Sequence, residues 1–509
     1  MFTFVFVIFL EKYIKVMGGV FDKIEVKPNR KRGMMFEEKH SELKRSLQNR
    51  HVQMIALGGV IGTGLFYGSA ESIQLAGPST ILAYLFGGLI IYFIMRMLGE
   101  MSVEEPTSGA FSFFAYKYWG DKVGFITGWN YWFLYILVSM TELTVIGFYL
   151  DHWVLMDHWK SSLIVLMFVT LINLFNVRFY GEFEFGLALI KVVTVVGMII
   201  FGIFLIVTGT NDNQASIHHL WDHGGFFPYG AIGVVLATAV VMFSFGGTEL
   251  IGIAAGEVSN PQKTIPMAIR KVMWRIIIFY IGSIGVIMMI SPWDTIGKDG
   301  SPFVTIFETV GIPAAGHILN FVVIMAAISV YNSGIYSNSR MLYSLAIQKN
   351  APYIFGKLNA AHVPYVAILF SSLCTSVIVV VNALVPDNSF MRIMALATAA
   401  AVITWAIIVI VHLKFRKAHK DREGSFVYAF GLYPYANYFC LFFLALLFCI
   451  MFISGFGKNG LMAQIFDMIG VKATFFESYI PTQMPDMSLA VIIIPLWCLL
   501  LLLSYKLKR

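Results

Sequence analysis

The stretch "LGGVIGTGLFYGS", residues 57–69, decides how this chain is read. It lies in an apolar run from Met54 to Ala76 whose first charge is Glu71. A run of that length and character reads as a membrane helix. Yet it holds Gly58, Gly59, Gly62, Gly64 and Gly68. Each glycine inside a helix costs roughly 0.5–1 kcal/mol relative to alanine. So many at one depth either pack against a neighbouring helix or mark a place where the helix fails.

The composition sets the medium. The chain has 509 residues, 58% hydrophobic and 13% charged, with a mean hydropathy of +0.76. That is too little charge to keep a soluble surface dispersed. Apolar runs of about 20 residues recur from end to end, the length that spans a bilayer. The chain therefore reads as an all-α integral membrane protein with one membrane domain. Its formal net charge of +7 is read as topology rather than as a nucleic-acid footprint, because basic residues gather on the cytoplasmic side. Cys374, Cys440, Cys449 and Cys498 lie in apolar segments without CxxC spacing. They read as buried small hydrophobes.

Twelve apolar segments follow a tail, near 51–72, 78–99, 123–150, 162–179, 185–208, 228–254, 267–290, 315–345, 363–385, 389–412, 430–453 and 487–506. Residues 1–50 form a basic tail, in which "MFTFVFVIFL" is too short to span and has no cleavage site after it. Translation from Met34 or Met35 is one expectation, which makes 1–33 an upstream extension. An even segment count places both termini on one side. Lys and Arg decide which. With the N-terminus inside, the cytoplasm receives the tail, Arg178, "NPQKTIPMAIRKVMWR", Arg340, Lys349, Lys357, "HLKFRKAHKDR" and "YKLKR". The outer loops keep only Lys160, Lys298, Lys458 and Lys472. The expected location is thus a cytoplasmic membrane, multi-pass, with both termini cytoplasmic.

The glycine feature recurs once, in segment 6. "MFSFGGTELIGIAAGE", residues 242–257, carries Gly246 and Gly247 inside an apolar helix. Segments 1 and 6 are five apart. Glycine-interrupted helices at matching positions of two halves point to a transporter of inverted repeats with a midplane site. Repeat one would cover about 51–208 and repeat two about 228–412, with segments 11 and 12 (430–506) appended to a 51–506 transport domain. Non-helical backbone survives at membrane depth only where protein or a wet cavity satisfies it. An unwound turn frees N–H groups on one half-helix, which suit a carboxylate, and C=O groups on the other, which suit an ammonium. Two crossing breaks can hold both ends of a zwitterion, so an α-amino acid is the natural guest. The plainer reading is small-residue helix packing, and the matched second break favours the broken helix. A phosphate loop is excluded, because "GGVIGTG" has no following lysine and follows no strand.

Charges inside spans are expensive and usually functional. Glu142 in segment 3, Lys191 in segment 5 and Glu249 just after the second break are three such charges. Glu249 is either a proton carrier or the cap of the resumed half-helix. Lys191 is either an organising cation in place of sodium or half of a structural ion pair. Glu142 faces the cavity or pairs with a neighbour. Arg96, Glu100, Glu104, Glu105 and Glu257 sit at cytoplasmic ends, where snorkelling or inner-gate pairing is expected. His218, His219 and His223 have partial metal-ligand spacing, but glycines follow at once and the pattern's glutamate is missing, so a surface loop is expected. No Ser/His/Asp pattern suggests an enzyme.

Several motifs resemble the bacterial amino acid permeases of the amino acid–polyamine–organocation superfamily. They are "LKRSLQNRHVQMIALGGVIGTGLFYGSA", "MRMLGEMSVEEPTSGAFSFFAYKYWG", "GFITGWNYWFLYILVSMTELTVIGFY", "FSFGGTELIGIAAGE", "SPFVTIFETVGI" and "NSGIYSNSRMLYSLA". The resemblance runs from about Leu43 to Arg509. "VEEPTSGAFSFFAYKYWG" and "GWNYWFLYILVSMTELT" look most like the aromatic amino acid and phenylalanine permeases. The resemblance implies proton-coupled import of neutral or aromatic amino acids across the bacterial inner membrane. It implies the 5+5 inverted-repeat fold of about 12 helices, with free amino acid, protons and lipid as partners, no nucleic acid, and no cofactor beyond the proton gradient. The runner-up is a permease or exchanger for basic amino acids, proline, histidine, or D-alanine, serine and glycine. The substrate carboxylate would meet amides at Ile61, Gly62, Thr63 and Gly64. The amino group would meet carbonyls at Phe243, Ser244, Gly246 and Gly247, with Phe243 as a gate. Lys191 would occupy the place of a sodium ion, and Asn332 and Ser333 would face the first segment. The length of loop 454–487 and the presence of Arg392 depart from the family's pattern. Arg392 flanks the outer vestibule or snorkels.

Overall fold

The computed structural model describes residues 50–507, apart from residues 52, 55–60, 108, 152, 155, 176, 209–214, 259, 297–302, 304–312, 385–388, 423–425, 458, 459, 461 and 465–484. The tail, Gly58, Gly59 and most of loop 454–487 lie outside the described residues.

Among the described residues the chain is helical throughout. Segment 1 continues as Thr63–Phe66 and Gly68–Ala76, and segment 2 is Thr80–Glu104. Segments 3, 4 and 5 are Asp121–Leu150, His158–Leu174 and Val177–Thr208. Segment 6 is Gly230–Val241, then Leu250–Ala254 beyond the break. Segment 7 runs Pro261–Ile290 with a π-helix at Ile276–Gly282. Segment 8 is Pro313–Ile347, segment 9 is Tyr365–Thr375 with Val377–Leu384, and segment 10 is Ser389–Ala418. Segments 11 and 12 are Tyr435–Ile453 and Ser488–Leu507. Ten described helices are long and apolar enough to cross a membrane, and His158–Leu174 is a shorter apolar helix.

The packing has the symmetry that the two breaks suggested. Segment 1 lies against segment 6, 2 against 7, 3 against 8, and 4 against 9. Four of the five pairs of an element and the one five later thus pack together, as two related halves would. Segments 11 and 12 pack on segment 10 and on each other.

Burial sorts the segments by medium. Segments 3 and 8 are buried over most of their length, whereas segment 5 presents Val193, Ile200 and Val207 outward. Those three recur every seven residues, one stripe of a helix facing lipid. The interior positions of segment 3 are aromatic and polar, with Trp129, Asn130, Tyr131, Tyr135 and Glu142 all buried. Lipid offers no reward for hiding apolar atoms, so helices associate through packing and interhelical hydrogen bonds. Asn130 illustrates the second, since its Nδ2 donates to the Ala400 carbonyl at 2.9 Å and to Thr404 Oγ1 at 3.0 Å.

Candidate functional site

At the first break Gly62 is extended, with φ −131° and ψ −158°. The helix restarts at Thr63, and the amides of Leu65 and Phe66 donate to the Gly62 carbonyl at 3.1 and 3.2 Å. A helix that begins here presents its first N–H groups and its positive dipole end. Space explains the glycines. A Cβ on Gly62 would lie 2.7 Å from Val330 Cγ2, and one on Gly64 would lie 2.7 Å from the Cα of Ser244. The two breaks therefore touch, backbone to backbone.

At the second break the helix tightens into a 3₁₀ turn, Met242–Phe245, and Gly246 leaves helical geometry at φ −54° and ψ 142°. Gly247 has φ +95°, a conformation that glycine adopts without strain. The Phe243 carbonyl accepts from the Gly246 amide at 3.1 Å and the Phe245 carbonyl from the Thr248 amide at 3.4 Å, while the Ser244 carbonyl accepts from the Tyr280 hydroxyl. Glu249 folds back, its Oε1 accepting from the Gly247 amide at 3.3 Å and from the Tyr135 hydroxyl at 3.2 Å. Glu249 stands at the N-cap position of Leu250–Ala254, but its side chain makes no cap hydrogen bond and turns back to the break instead.

A small cavity opens between the breaks. Gly62, Gly64, Phe243, Ser244, Gly246, Gly247, Glu142 and Glu249 line it, eight of the residues picked from sequence. Glu142 Oε1 accepts from Thr63 Oγ1 at 2.9 Å. The second carboxylate oxygens of Glu142 and Glu249 are buried and meet no hydrogen-bond partner among the described residues.

Ile61 and Thr63 lie on segment 1 but do not line the cavity, and Lys191, Asn332 and Ser333 lie behind that segment. Lys191 Nζ donates to the Ile61 carbonyl at 3.0 Å and to Ser329 Oγ at 2.9 Å. Ser329 in turn donates to Glu184. Asn332 Nδ2 donates to Glu184 Oε2 at 3.0 Å, and Ser333 Oγ lies 3.3 Å from the Tyr180 hydroxyl. Asn332 and Ser333 thus support segment 5 and do not line the cavity. The key carboxylate, Glu184, was missed because segment 5 was expected to begin at residue 185, whereas its helix begins at Val177. The acidic "GEFEFG" stretch, residues 181–186, lies one to two turns inside that helix.

Sequence reasoning also missed the side walls. Segment 3 contributes Leu134, Tyr135 and Val138 in register with Glu142. Segment 10 contributes Ala397, Thr398, Ala401 and Trp405. Both sets follow i, i+1, i+4, i+8, one face of a helix. The signal was present in "MALATAAAVITW", where alanines one turn apart leave room above a tryptophan.

Other candidates resolve into structural roles. The charges at these helix ends find protein partners. Arg340 Nε donates to Glu257 Oε1 at 2.9 Å, fully inside the protein. Arg416 Nη2 donates to Glu100 Oε2 at 2.8 Å, and Lys117 Nζ to Glu105 Oε1 at 2.6 Å. Arg96 donates to the Ala429 carbonyl at 2.9 Å. Arg392 is exposed and does not line the cavity. His219 and His223 turn to different partners, the Met289 carbonyl and Asp294, each at 3.1 Å. Of the cysteines, Cys374 and Cys440 are buried as expected, whereas Cys498 is half-buried and Cys449 is exposed. Cys449 sits on the outward face of segment 11, where lipid rather than protein covers an apolar side chain.

Comparison with known proteins agrees with this arrangement. The amino acid permease family model matches residues 51–509. The aromatic amino acid transport protein AroP of Shigella flexneri is 46% identical over 478 residues, 94% of this chain and 98% of that protein. AroP of Escherichia coli K12 matches to the same extent, 46% over 478 residues with the same coverage. The uncharacterized amino acid permease YtnA of Bacillus subtilis is 43% identical over 473 residues, 92% of this chain and 96% of that protein. With its paired helices, its two facing breaks and a match over nearly its whole length, the chain belongs to the amino acid permease family.

Proposed function

We propose that this permease, a multi-pass membrane transporter and not an enzyme, imports aromatic amino acids together with protons by alternating access. The observation that carries the reading is the cavity onto which both helix breaks open. Amides at Gly62, Thr63 and Gly64 suit the substrate carboxylate. Carbonyls at Phe243, Ser244 and Gly246 suit the ammonium. Phe243, which lines the cavity, serves as its gate. The small side chains of Ala397 and Ala401 and the indole of Trp405 offer a slot for a ring. The relatives named aromatic amino acid transport proteins support the same class.

Proton coupling rests on the site's charges. Glu142 and Glu249 face the cavity, and each is one hydrogen bond short of satisfied. A carboxylate in that position can take up and release a proton as the cavity alternates between aqueous phases. Lys191 supplies a fixed positive charge where other transporters need a metal cation. The excess of Lys and Arg in alternate loops supports cytoplasmic termini.

The same two buried carboxylates favour a second reading, a permease or exchanger for basic amino acids, whose side chain would pair with one of them. Competition binding on the purified protein separates the two. Displacement of labelled phenylalanine by tyrosine and tryptophan but not by arginine is expected. Displacement by arginine alone would transfer the assignment to the second reading.

A further inference from the structure

Tyr280, on segment 7, donates its hydroxyl to the Ser244 carbonyl at 2.6 Å. This bond joins a helix outside the cavity to the turn at which segment 6 breaks. Ser244 is also the residue whose Cα meets the glycine of the first break, 2.7 Å from a Cβ placed on Gly64. One hydroxyl therefore acts where the two breaks touch.

The surroundings hold that hydroxyl in place. The Tyr280 ring is fully buried, stacked on Tyr84 with centroids 5.4 Å apart and set against Phe245 at 5.3 Å. Three rings from segments 2, 6 and 7 thus form a wedge behind the second break. Tyr280 lies inside the π-helix Ile276–Gly282. A π turn inserts one extra residue and swings the side chains that follow, and such turns are rare and frequently found at functional sites. An uninterrupted α-helix would turn Tyr280 away from Ser244.

We propose that Tyr280 is a positioning residue for the substrate ammonium, acting through the Ser244 carbonyl. A peptide oxygen has two lone pairs. Tyr280 takes one, which fixes the carbonyl's direction and keeps it satisfied in an empty cavity. The other is left for the ligand. Without the hydroxyl the carbonyl is free to tilt, and the loss falls on the ligand's amino end alone, because the carboxylate is held by segment 1. The inference rests on the reading of Ser244 as an ammonium acceptor.

The test is Tyr280→Phe, which keeps the ring and removes the hydroxyl. Binding is measured in detergent for two pairs of probes, phenylalanine with 3-phenylpropionate and alanine with propionate; the second member of each pair lacks the ammonium. The expected result is a loss of affinity of about tenfold for the amino acid, the scale of one hydrogen bond, with no change for its des-amino partner. Retained binding of the des-amino acid also reports that the variant is folded. Equal losses within a pair, or none, would overturn the positioning role. Wild-type binding of alanine but not phenylalanine would overturn the aromatic assignment, while the alanine pair still decides the role of Tyr280. Wild-type affinities that are equal within each pair would remove the ammonium site itself, and the inference with it.

Discussion

The Lys191 ammonium donates to the carbonyl of Ile61 across 3.0 Å, at the residue where the first helix breaks. The same ammonium reaches Ser329 on segment 8, and Ser329 hands the interaction on to Glu184 on segment 5. One cation thus ties three elements together beside the break. Lys191→Met leaves the Glu184 carboxylate buried without its counter-charge. Removal of one partner from a buried pair costs about 3–5 kcal/mol. We expect an inserted protein with a clearly lowered melting temperature and no uptake, measured on the detergent-solubilised variant and in proteoliposomes. Lys191→Arg should not restore uptake, because a planar fork does not replace a compact point charge. Wild-type uptake should be unchanged when sodium is replaced by choline.

Gly64 has backbone on its open side. The Cα of Ser244 lies 2.7 Å from where a Cβ would sit, and backbone cannot rotate out of the way. Gly64→Leu should insert normally and bind no substrate. Gly64→Ala should bind about 10- to 100-fold more weakly, as expected when overpacking costs about 1–3 kcal/mol. Equilibrium binding with labelled phenylalanine checks both, and retained affinity in Gly64→Leu would contradict the carboxylate cradle.

Glu249 holds the second break through the Gly247 amide, and its second oxygen meets no hydrogen-bond partner among the described residues. Glu249→Gln retains a carbonyl acceptor for that amide and for Tyr135 but loses the exchangeable proton. The variant should exchange internal for external substrate near the wild-type rate. It should fail to accumulate substrate against a gradient when a proton gradient is imposed. Counterflow and net uptake, measured side by side, distinguish the two, and undiminished accumulation would assign proton carriage to another group.

Ala401 sets the width of the side-chain slot, one turn from Ala397 and one turn from Trp405. Ala401→Leu fills that slot with three more carbons. Phenylalanine affinity should fall by at least about tenfold, the usual scale of overpacking. Alanine binding should fall little. Equal effects on both would place the substrate ring elsewhere in the cavity.

Much of the fold was legible because the bilayer imposes a simple rule of length and hydropathy. All twelve expected segments correspond to helices, with the first half of segment 1 outside the described residues. The backbone part of the site was also legible, since glycine marks where a helix gives way. Gly62, Gly64, Gly246 and Gly247 all line the cavity. The side walls were harder. Which face of a buried membrane helix points inward depends on its rotation, and a helix that is apolar all round has no polar stripe to mark its outer side. That is why Tyr135, Ala397, Ala401 and Trp405 went unnamed. Glu184 was lost for a different reason, as polar residues near a helix end look interfacial until the helix is seen to start two turns earlier. Asn332 and Ser333 were expected to face segment 1, whereas their side chains bond to segments 4 and 5.

The most direct test is uptake of labelled phenylalanine into proteoliposomes holding the purified protein, with an inward proton gradient imposed and then dissipated by an ionophore. The account predicts accumulation above the external concentration while the gradient lasts, and collapse to equilibration when it is removed. Uptake that is indifferent to the ionophore would contradict proton coupling, and no uptake of phenylalanine, with arginine or proline taken up instead, would contradict the aromatic assignment.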